Sequence, residues 1–179
     1  MEAGARLKAS CIMMLKLRQP DAKDGHMIEA LIATCPPLDQ NSLYSTLLLC
    51  TDFADTCVIA EDDDGQVLGW VSGYIPPNDP ETFFVWQVAV HENARGQSLG
   101  RKMIDHLLQR PSARRTERLR TTITPDNDPS WALFRSVAKH LGAELQHKPW
   151  FLEQAHFAGA HDTENMLTIW PINRAALAA

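Results

Sequence analysis

The sequence predicts a single α/β domain in which strands and amphipathic helices alternate along the chain. The 179 residues are enough for one well-cored domain and fall short of two domains of ordinary size. Apolar residues make up 45% and charged residues 22%, a composition typical of globular proteins. Segments with the two-residue period of strands alternate with segments of helical period, and no repeat or low-complexity linker divides them.

The first half of the chain begins with an aperiodic stretch and continues into two helices and three strands. Residues 1–12 show no clear period, so we expect a flexible N-terminal extension followed by a domain over 13–179. Asp21 is a typical N-cap for the first helix, and Pro36-Pro37 ends that helix. The predicted elements are a strand over 14–18, a helix from 21 to before 36, a helix from Asn41 or Ser42 to Cys50, and strands over 56–61 and 67–75 joined by a turn at 62–65.

The second half contains the most strand-like segment of the chain, Thr82 to Val90, which is rich in Phe, Val and Trp. Asp128-Pro129 predicts the start of a helix, with Asp128 as the cap and proline at the first helical position. Gly142 is a natural end for that helix. The other predicted elements are a helix over 99–109, a strand over 119–124, a helix over 129–141, and strands over 143–150 and 164–170.

The net charge and the cysteine pattern limit the kinds of binding partner and the cellular compartment that the sequence predicts. The formal net charge of -5 provides no general attraction for nucleic acid or for an anionic membrane, so an anionic ligand needs a local site. The four cysteines form no C-x-x-C pair, and the sequence shows no apolar leader and no apolar run of membrane-spanning length. The sequence therefore predicts a cytoplasmic protein with reduced thiols and gives no support for a catalytic cysteine.

The turn between the strongest strand and the next helix has the features of an anion site. A glycine-containing turn at a helix N-terminus brings backbone N–H groups toward one point, where the positive end of the helix dipole adds to them. Gly96 and Gly100 carry no side chain that would hold a pyrophosphate away. Arg95 and Arg101 add positive charge, although arginines that face solvent would have the same sequence. The turn reads Arg95-Gly96-Gln97-Ser98-Leu99-Gly100.

Two familiar phosphate motifs are absent from this turn, and one simpler interpretation stays open. The Rossmann fingerprint needs three glycines in G-x-G-x-x-G, and the P-loop needs a lysine and a hydroxyl residue after its last glycine. The turn has neither pattern. Taken alone, the hexapeptide is explained about equally well as a glycine-bearing turn without a ligand.

The order of elements around the turn resembles the GCN5-related N-acetyltransferase (GNAT) superfamily, from the strand at 82–90 through Asn127 to the helix that follows. The superfamily motif is roughly Gln/Arg-x-x-Gly-x-Gly/Ala. This chain matches it at Arg95 and Gly100 and has Ser98 at the middle glycine, so the backbone there must suit a residue with a Cβ. The resemblance implies the acyl-CoA N-acyltransferase fold, an α/β fold with a central, mixed, mostly antiparallel sheet flanked by helices. It also implies acetyl-CoA as the cosubstrate.

The same resemblance implies which residues contact acetyl-CoA. The backbone of the strand at 82–90 would pair with the pantetheine arm, and a backbone N–H near Val88 would bind the oxyanion. A tyrosine after the fifth strand often protonates the leaving thiolate in this superfamily. Phe134 takes that position here and cannot donate a proton, so no general acid is assigned. The implied cofactor-binding residues are Val88, Ala89, Val90, Arg95, Gly96, Gln97, Ser98, Leu99, Gly100, Arg101, Asn127 and Phe134.

Two further segments are not expected of acetyltransferases in general: PPLDQNSLY at 36–44 and HDTE at 161–164. Together with FVWQVAV at 84–90 and TPDN at 124–127, they resemble the L-2,4-diaminobutyrate acetyltransferases of ectoine biosynthesis. The resemblance implies transfer of acetyl from acetyl-CoA to the 4-amino group of L-2,4-diaminobutyrate, by direct attack of the amine in a ternary complex. It also implies a cytoplasmic homodimer without a metal.

Asp39 and Glu164 lie in the two family-specific segments, and the resemblance implies that both are catalytic and substrate-binding. The substrate amine arrives as an ammonium group, because a lysine-like amine has a pKa of about 10.4. Acidic side chains can hold this cation and accept its proton. From the residues alone, Asp39 is better explained as a helix cap or turn residue than as an acid of the substrate site. Glu164 is explained equally well as a solvent-facing strand residue and as an acid of that site.

Two aromatic residues and two polar clusters complete the set of candidates. Tyr44 and Trp86 are predicted to wall the substrate pocket and to contact a cation through their ring faces, although a core position suits Trp86 better from sequence alone. The histidines and acids at 156–164 do not have the helical H-E-x-x-H spacing, so no metal is predicted. Arg114-Arg115 is interpreted as a solvated basic pair.

Two other functions stay open at this point. One is an N-acetyltransferase for another small amine, such as a polyamine. The other is a non-catalytic acyl-CoA-binding domain. Phe134 favours the second alternative, whereas the acids at 39 and 164 argue against it.

Overall fold

The computed structural model describes residues 15–178, and these residues form one seven-stranded sheet with helices on both faces. The strands are β1 (Lys16–Arg18), β2 (Val58–Glu61), β3 (Val67–Tyr74), β4 (Thr82–Val90), β5 (Arg118–Ile123), β6 (Glu144–Phe151) and β7 (Glu164–Trp170). The helices are α1 (Gly25–Ala33), α2 (Leu43–Thr51), α3 (Leu99–Gln109), α4 (Asp128–Leu141) and α5 (Glu153–His156).

The strand order is β1-β2-β3-β4-β5-β7-β6, and every neighbouring pair is antiparallel except β4 and β5. This mixed, mostly antiparallel sheet confirms the fold class that the sequence predicts. The parallel pair is short, because β4 and β5 are in register only from Thr82 to Phe84 on β4 and from Arg118 to Arg120 on β5. Beyond these residues the two strands are no longer paired, which leaves a gap in the middle of the sheet.

Each face of the sheet has its own apolar core. One core joins α3 and α4 to β-strand residues such as Val58, Val71 and Leu119. The other joins α1 and α2 to Ile59, Trp70 and Ala89. Because side chains alternate between the two faces of a strand, the near-continuous apolar runs of β2 and β3 are explained by burial on both sides.

Most of the predicted elements are confirmed within one to three residues. The bounds of β4 and α3 agree with the predicted 82–90 and 99–109. Asp21 caps a short 3₁₀ turn, Ala22–Asp24, that leads into α1. The four-residue helix α5 was not predicted. The predicted extension at 1–12 and the start of the first strand at 14 lie outside the described residues.

Two sequence predictions about single residues are wrong, and a third residue, Ser98, adopts a strained conformation. The cap of α4 is Asn127, whose side chain accepts from the N–H of Ser130, and Asp128 is already the first helical residue. Trp86 is 47% exposed, so it is not a core residue. Ser98 has φ 56° and ψ 27°, a left-handed conformation that a residue with a Cβ adopts only at some cost.

Within residues 15–178, no helix is long and apolar enough to cross a membrane. Cys35, Cys50 and Cys57 are free thiols. Burial raises the pKa of the Cys57 thiol to about 12 and that of the Cys50 thiol to about 11, so both stay protonated and unreactive at neutral pH.

Candidate active site

A cavity of about 310 Å³, here called the central cavity, opens where β4 and β5 separate. Its walls include Val85 to Val88 on one side of the gap and Thr121 to Thr124 on the other. The register between β3 and β4 passes from Ser72–Gln87 to Gly73–Val85, so Trp86 is the extra residue of a β-bulge. A bulge re-aims side chains and sharpens the local bend, which accounts for the exposure of Trp86 at the cavity wall.

The backbone of β4 beside the cavity presents an N–H group to the gap. The N–H of His91 donates to the carbonyl of Leu68 on β3 at 2.9 Å. In an antiparallel pair, successive N–H groups alternate between pointing to the partner strand and pointing away from it. Counting back from His91, the N–H of Val88 points away from β3 and toward the gap, which is the direction that the predicted oxyanion donor needs.

Three side chains from two distant parts of the chain form an acidic cluster at the cavity. The Nε2 atom of His161 lies 3.9 Å from an oxygen of Asp39 and 3.7 Å from an oxygen of Glu164. Its Nδ1 atom lies 2.8 Å from the backbone carbonyl of Asp162, which fixes Nδ1 as the protonated donor and turns Nε2 toward the two carboxylates. The backbone of Asp39 is fixed by a hydrogen bond, because the side-chain amide of buried Gln87 donates to the Asp39 carbonyl at 2.9 Å.

The cluster places its two carboxylates in different environments. The side chain of Asp39 is 84% exposed. Burial raises the pKa of the Glu164 carboxyl, an effect that the charge of His161 opposes and that of Asp39 reinforces. The hydrogen bond to the Asp162 carbonyl, with the nearby carboxylates, raises the pKa of His161. One oxygen of Glu164 is buried and has no hydrogen-bond partner within residues 15–178, so it is available to a ligand.

A second cavity of about 420 Å³, here called the loop groove, lies beside the turn at 95–100. Gly96 has φ 78°, which glycine adopts without strain. A Cβ on Gly100 would lie 3.2 Å from the Leu133 side chain and 3.6 Å from that of Val88, so glycine keeps the floor of the groove open. The N-terminus of α3 directs its unpaired N–H groups into this groove, as an anion site requires.

The arginines of this turn are already engaged by the protein. The Nε atom of Arg95 donates to the carbonyl of Val90 at 3.1 Å, while its residue still lines the groove. Arg101 pairs with Asp105 one turn later on α3, at 2.9 Å. Neither Arg101 nor Gln97 lines the loop groove, so the backbone, the helix dipole and the charge of Arg95 provide the attraction for an anion there.

The two cavities are adjacent, and together they are here called the trough. Pro37, Leu38, Val88, Asn127 and Ser130 line both cavities. The shared wall lies between the acidic cluster and the loop groove. A ligand with an anionic end at the loop and a reactive end at the acids would therefore follow the β4 edge from one cavity to the other.

The remaining predicted residues are distributed unevenly around the trough. Trp86, Asp39 and Glu164 line the central cavity together with Phe134, which is nearly fully buried. Tyr44 lines neither cavity, and it is 71% exposed on α2. Within the chain as described, Tyr44 is therefore not part of the pocket wall that it was predicted to form. Ala89 is buried among apolar side chains under α1, so only its backbone can contact a ligand.

His161 and Gln87 are the contributors that sequence reasoning missed. The sequence alone suggests His161 only as a possible metal ligand. Its position three residues before Glu164, in a family-specific segment, is the signal that associates it with the substrate site. Within residues 15–178, no group of three or more His, Cys, Asp or Glu side chains is arranged to hold a metal ion.

A seven-stranded mixed sheet with a gap between its parallel strands, and an anion site at the end of that gap, define a GNAT-type N-acetyltransferase. The acetyltransferase (GNAT) family model matches residues 24–138. The chain is 46% identical to the L-2,4-diaminobutyric acid acetyltransferase of Chromohalobacter salexigens over 157 residues, covering 88% of this chain and 81% of the relative. It is 47% identical to the Bordetella parapertussis protein of the same name over 155 residues, covering 87% and 83%.

A solved structure gives the same result. The diaminobutyrate acetyltransferase of Paenibacillus lautus, in complex with L-2,4-diaminobutyric acid and coenzyme A, superposes with a TM-score of 0.83 at 32% identity. The match covers 89% of this chain and 96% of that one. The chain belongs to the GNAT acetyltransferases and, within them, to the family of L-2,4-diaminobutyric acid acetyltransferases.

Proposed function

We propose that the protein transfers the acetyl group of acetyl-CoA to the 4-amino group of L-2,4-diaminobutyrate, which gives N4-acetyl-L-2,4-diaminobutyrate and CoA, the acetylation step of ectoine biosynthesis. One observation carries the proposal. The acidic cluster of Asp39, His161 and Glu164 lies in the same trough as the loop groove, so a substrate with two ammonium groups and acetyl-CoA can meet along β4.

The acids account for binding and activation of the amine. Asp39 is exposed and attracts the ammonium groups of the substrate as they enter. Glu164 accepts the proton of the 4-ammonium group, because its raised pKa makes it a stronger base than an ordinary glutamate and one of its oxygens has no hydrogen-bond partner among residues 15–178. His161 lies 3.9 Å from Asp39 and 3.7 Å from Glu164, so its protonated form attracts both carboxylates.

The gap in the sheet accounts for the acyl-transfer step. The neutral amine attacks the thioester carbonyl, the C–N bond forms, and the carbonyl oxygen becomes an oxyanion that accepts from the N–H of Val88. One such donor is worth roughly 3–4 kcal/mol in the transition state. The C–S bond then breaks and CoA leaves as a thiolate, with the extra amine proton passing to water. Phe134 has no proton to give, so no general acid is assigned.

The overall organisation follows the resemblance to the family. Residues 15–178 act as one acetyltransferase domain, and the protein works in the cytoplasm as a homodimer. The residues that contact acetyl-CoA are the backbone of Val88 to Val90, and Arg95, Gly96, Ser98, Leu99, Gly100 and Asn127, which line the loop groove. Trp86 contacts the substrate through its ring face.

The test is a thiol-release assay with purified protein, acetyl-CoA and a panel of amines: diaminobutyrate, ornithine, lysine, putrescine and spermidine. We expect diaminobutyrate to give the highest kcat/KM and the product to carry acetyl on N4, as determined by NMR. Reactions without amine measure background hydrolysis. A preference for a polyamine would contradict the substrate, and no release with any amine would contradict the enzymatic function.

A further inference from the structure

The acid that attracts the amine, Asp39, lies in the irregular segment between α1 and α2. The N–H of Leu38 donates to the carbonyl of Cys35 at 3.0 Å and closes a turn just before Asp39. Within the described part of the chain, no hydrogen bond between backbone groups holds residues 39–41. Polar backbone groups without backbone partners depend on side chains or water for their hydrogen bonds. The position of Asp39 is therefore set from outside its own segment.

The side chain of Gln87 on β4 supplies the hydrogen bond that this segment lacks. Its amide nitrogen, Nε2, donates to the carbonyl of Asp39 at 2.9 Å, across 48 residues of sequence. Because a carbonyl oxygen can only accept, the orientation of the Gln87 amide is fixed by this contact. Gln87 is only 8% exposed, so water competes little for the bond, and a hydrogen bond in such surroundings is stronger than one at the surface.

Gln87 is also joined directly to the proposed oxyanion donor. The N–H of Val88 belongs to the peptide bond between Gln87 and Val88, and a peptide unit is planar and rigid. The strand itself is held in place by β3, where Ser72 is the partner of Gln87. The backbone of Asp39 is therefore connected to the Val88 N–H through one side chain and one hydrogen bond of 2.9 Å.

A second contact with β4 holds the other end of the segment over 35–39. The thiol of Cys35 donates to the carbonyl of Val90 at 3.5 Å. Cys35 lines the loop groove and Asp39 lines the central cavity, so the segment follows β4 from one cavity to the other and is attached to it at both ends. A thiol is a weak donor, so the amide of Gln87 is the stronger of the two attachments.

We propose that Gln87 is a positioning residue for the acetyl transfer, whose buried amide holds Asp39 at a fixed distance from the N–H of Val88. The proposal rests on the proposed function, because it takes Asp39 as the acid that binds the amine and Val88 as the oxyanion donor. The amine nitrogen and the thioester carbon have to approach to about 3–3.5 Å, and a misplacement of about 1 Å can lower a rate by about 10²-fold. Without Gln87, the segment that carries Asp39 is free to move by such a distance.

Ser72 offers a comparison that separates positioning from packing. It lies directly opposite Gln87 on β3, so the two side chains are on the same face of the sheet. Ser72 is 1% exposed, and among residues 15–178 its hydroxyl has no hydrogen-bond partner. A substitution of Ser72 therefore alters the same buried layer and leaves the hydrogen bond to the Asp39 carbonyl in place.

The test removes the donor and keeps an apolar side chain of similar size. Gln87→Met and Gln87→Leu are the two variants, so that one remains if the other does not fold, and Ser72→Ala is the matched control. Circular dichroism and the melting temperature establish that each variant is folded. Steady-state kinetics vary diaminobutyrate and acetyl-CoA separately, and calorimetry measures the binding of diaminobutyrate in the presence of CoA. The same measurements are repeated with Asp39→Asn added, which completes a double-mutant cycle.

We expect both Gln87 variants to lower kcat/KM for diaminobutyrate by about tenfold or more, and to leave the KM for acetyl-CoA within about twofold of wild type. With Asp39→Asn already present, the same substitutions should cost less than about threefold, because the group that Gln87 positions is already altered. Ser72→Ala should retain the kinetics of wild type.

Two results would overturn the proposal. One is wild-type kinetics in a folded Gln87 variant, and the other is an equal loss with and without Asp39→Asn, which is the result of a purely structural role. Failure of the proposed function looks different, because wild type itself would then not acetylate diaminobutyrate. In that case the calorimetric binding of diaminobutyrate still decides whether Gln87 acts through Asp39.

Discussion

Glu164 stands at the start of β7 with one carboxylate oxygen near His161, and the other has no hydrogen-bond partner in the described part of the chain. If this carboxylate accepts the amine proton, Glu164→Gln keeps the shape of the side chain and removes the base. We expect kcat to fall by 10²- to 10⁴-fold with little change in stability. Steady-state kinetics with diaminobutyrate measure this, and Glu92→Gln, an exposed residue before the turn, serves as the control.

Asp39→Asn gives the complementary result, because exposed Asp39 acts mainly on binding. The expected effect is a higher KM for diaminobutyrate with a smaller change in kcat. Unchanged kinetics in both Asp39→Asn and Glu164→Gln would mean that the substrate binds elsewhere.

The pH profile reports on His161. A base must be ionised, so the raised pKa of Glu164 places the acid limb of kcat/KM at a higher pH than an ordinary glutamate would. The charge of His161 opposes this rise. His161→Gln removes that charge, so we expect the acid limb to move to still higher pH, whereas a limb that moves to lower pH would contradict the geometry. His26→Gln, at an exposed position on α1, is the control and should leave the limb in place.

At the scale of elements, the turn before α3 stores strain at Ser98. Its left-handed conformation costs a residue with a Cβ about 1 kcal/mol, and glycine avoids that cost. We therefore expect Ser98→Gly to raise the free energy of unfolding by about 0.5–1 kcal/mol in chemical denaturation, with the KM for acetyl-CoA little changed. Gly96→Ala is the opposite case: a Cβ there meets no atom within 4 Å, yet φ is 78°, so it should destabilise by about 1 kcal/mol.

Asn127, at the N-terminus of α4, caps the helix and also lines both cavities. Asn127 accepts from the N–H of Ser130 at 3.2 Å. Asn127→Ala should lower the free energy of unfolding by about 1 kcal/mol and raise the KM for acetyl-CoA. Asn127→Ser keeps a cap and should restore the stability but not the KM. If Asn127→Ala changes stability alone, the residue is only a cap.

Strong periodicity explains what could be predicted from sequence. The apolar run of β4 and the apolar stripe of α3 set their bounds, and the order of elements around them indicated the fold. Less of the site could be predicted, because the contacts that form it join residues that are far apart in sequence. The bulge that exposes Trp86 depends on the register with β3, and the contact of His161 with Asp39 joins segments that are far apart in sequence. The left-handed conformation of Ser98 did have a sequence signal, because Ser98 stands where the superfamily motif has a glycine.

At the scale of the whole molecule, the gap that creates the site divides the sheet into two parts. Beside it, β4 and β5 are joined by only three residue pairs. Beside the parallel pair the N–H groups of Glu117 and Arg118 donate to the carbonyl of Glu81, at 2.7 and 3.1 Å, and the N–H of Ile172 in the C-terminal tail donates to the carbonyl of Glu117 at 2.8 Å. Arg174 donates to the carbonyls of Leu108, Ala113 and Thr116 between α3 and β5.

Arg174 therefore ties the tail to the segment that connects the two parts of the sheet. Arg174→Ala leaves several partly buried carbonyls without a donor, so the expected loss is about 2–3 kcal/mol in the free energy of unfolding. For a chain of this size, that corresponds to roughly 5–10 °C in the melting temperature, measured by calorimetry. Arg174→Lys should recover only part of the loss, because an ammonium group cannot reach all the acceptors in one plane. Arg114→Ala, an exposed arginine in the same connection, should change the melting temperature by less than about 2 °C. Equal losses of stability for Arg174→Ala and Arg114→Ala would mean that Arg174 stabilises the protein through its positive charge and not through its hydrogen bonds to the carbonyls.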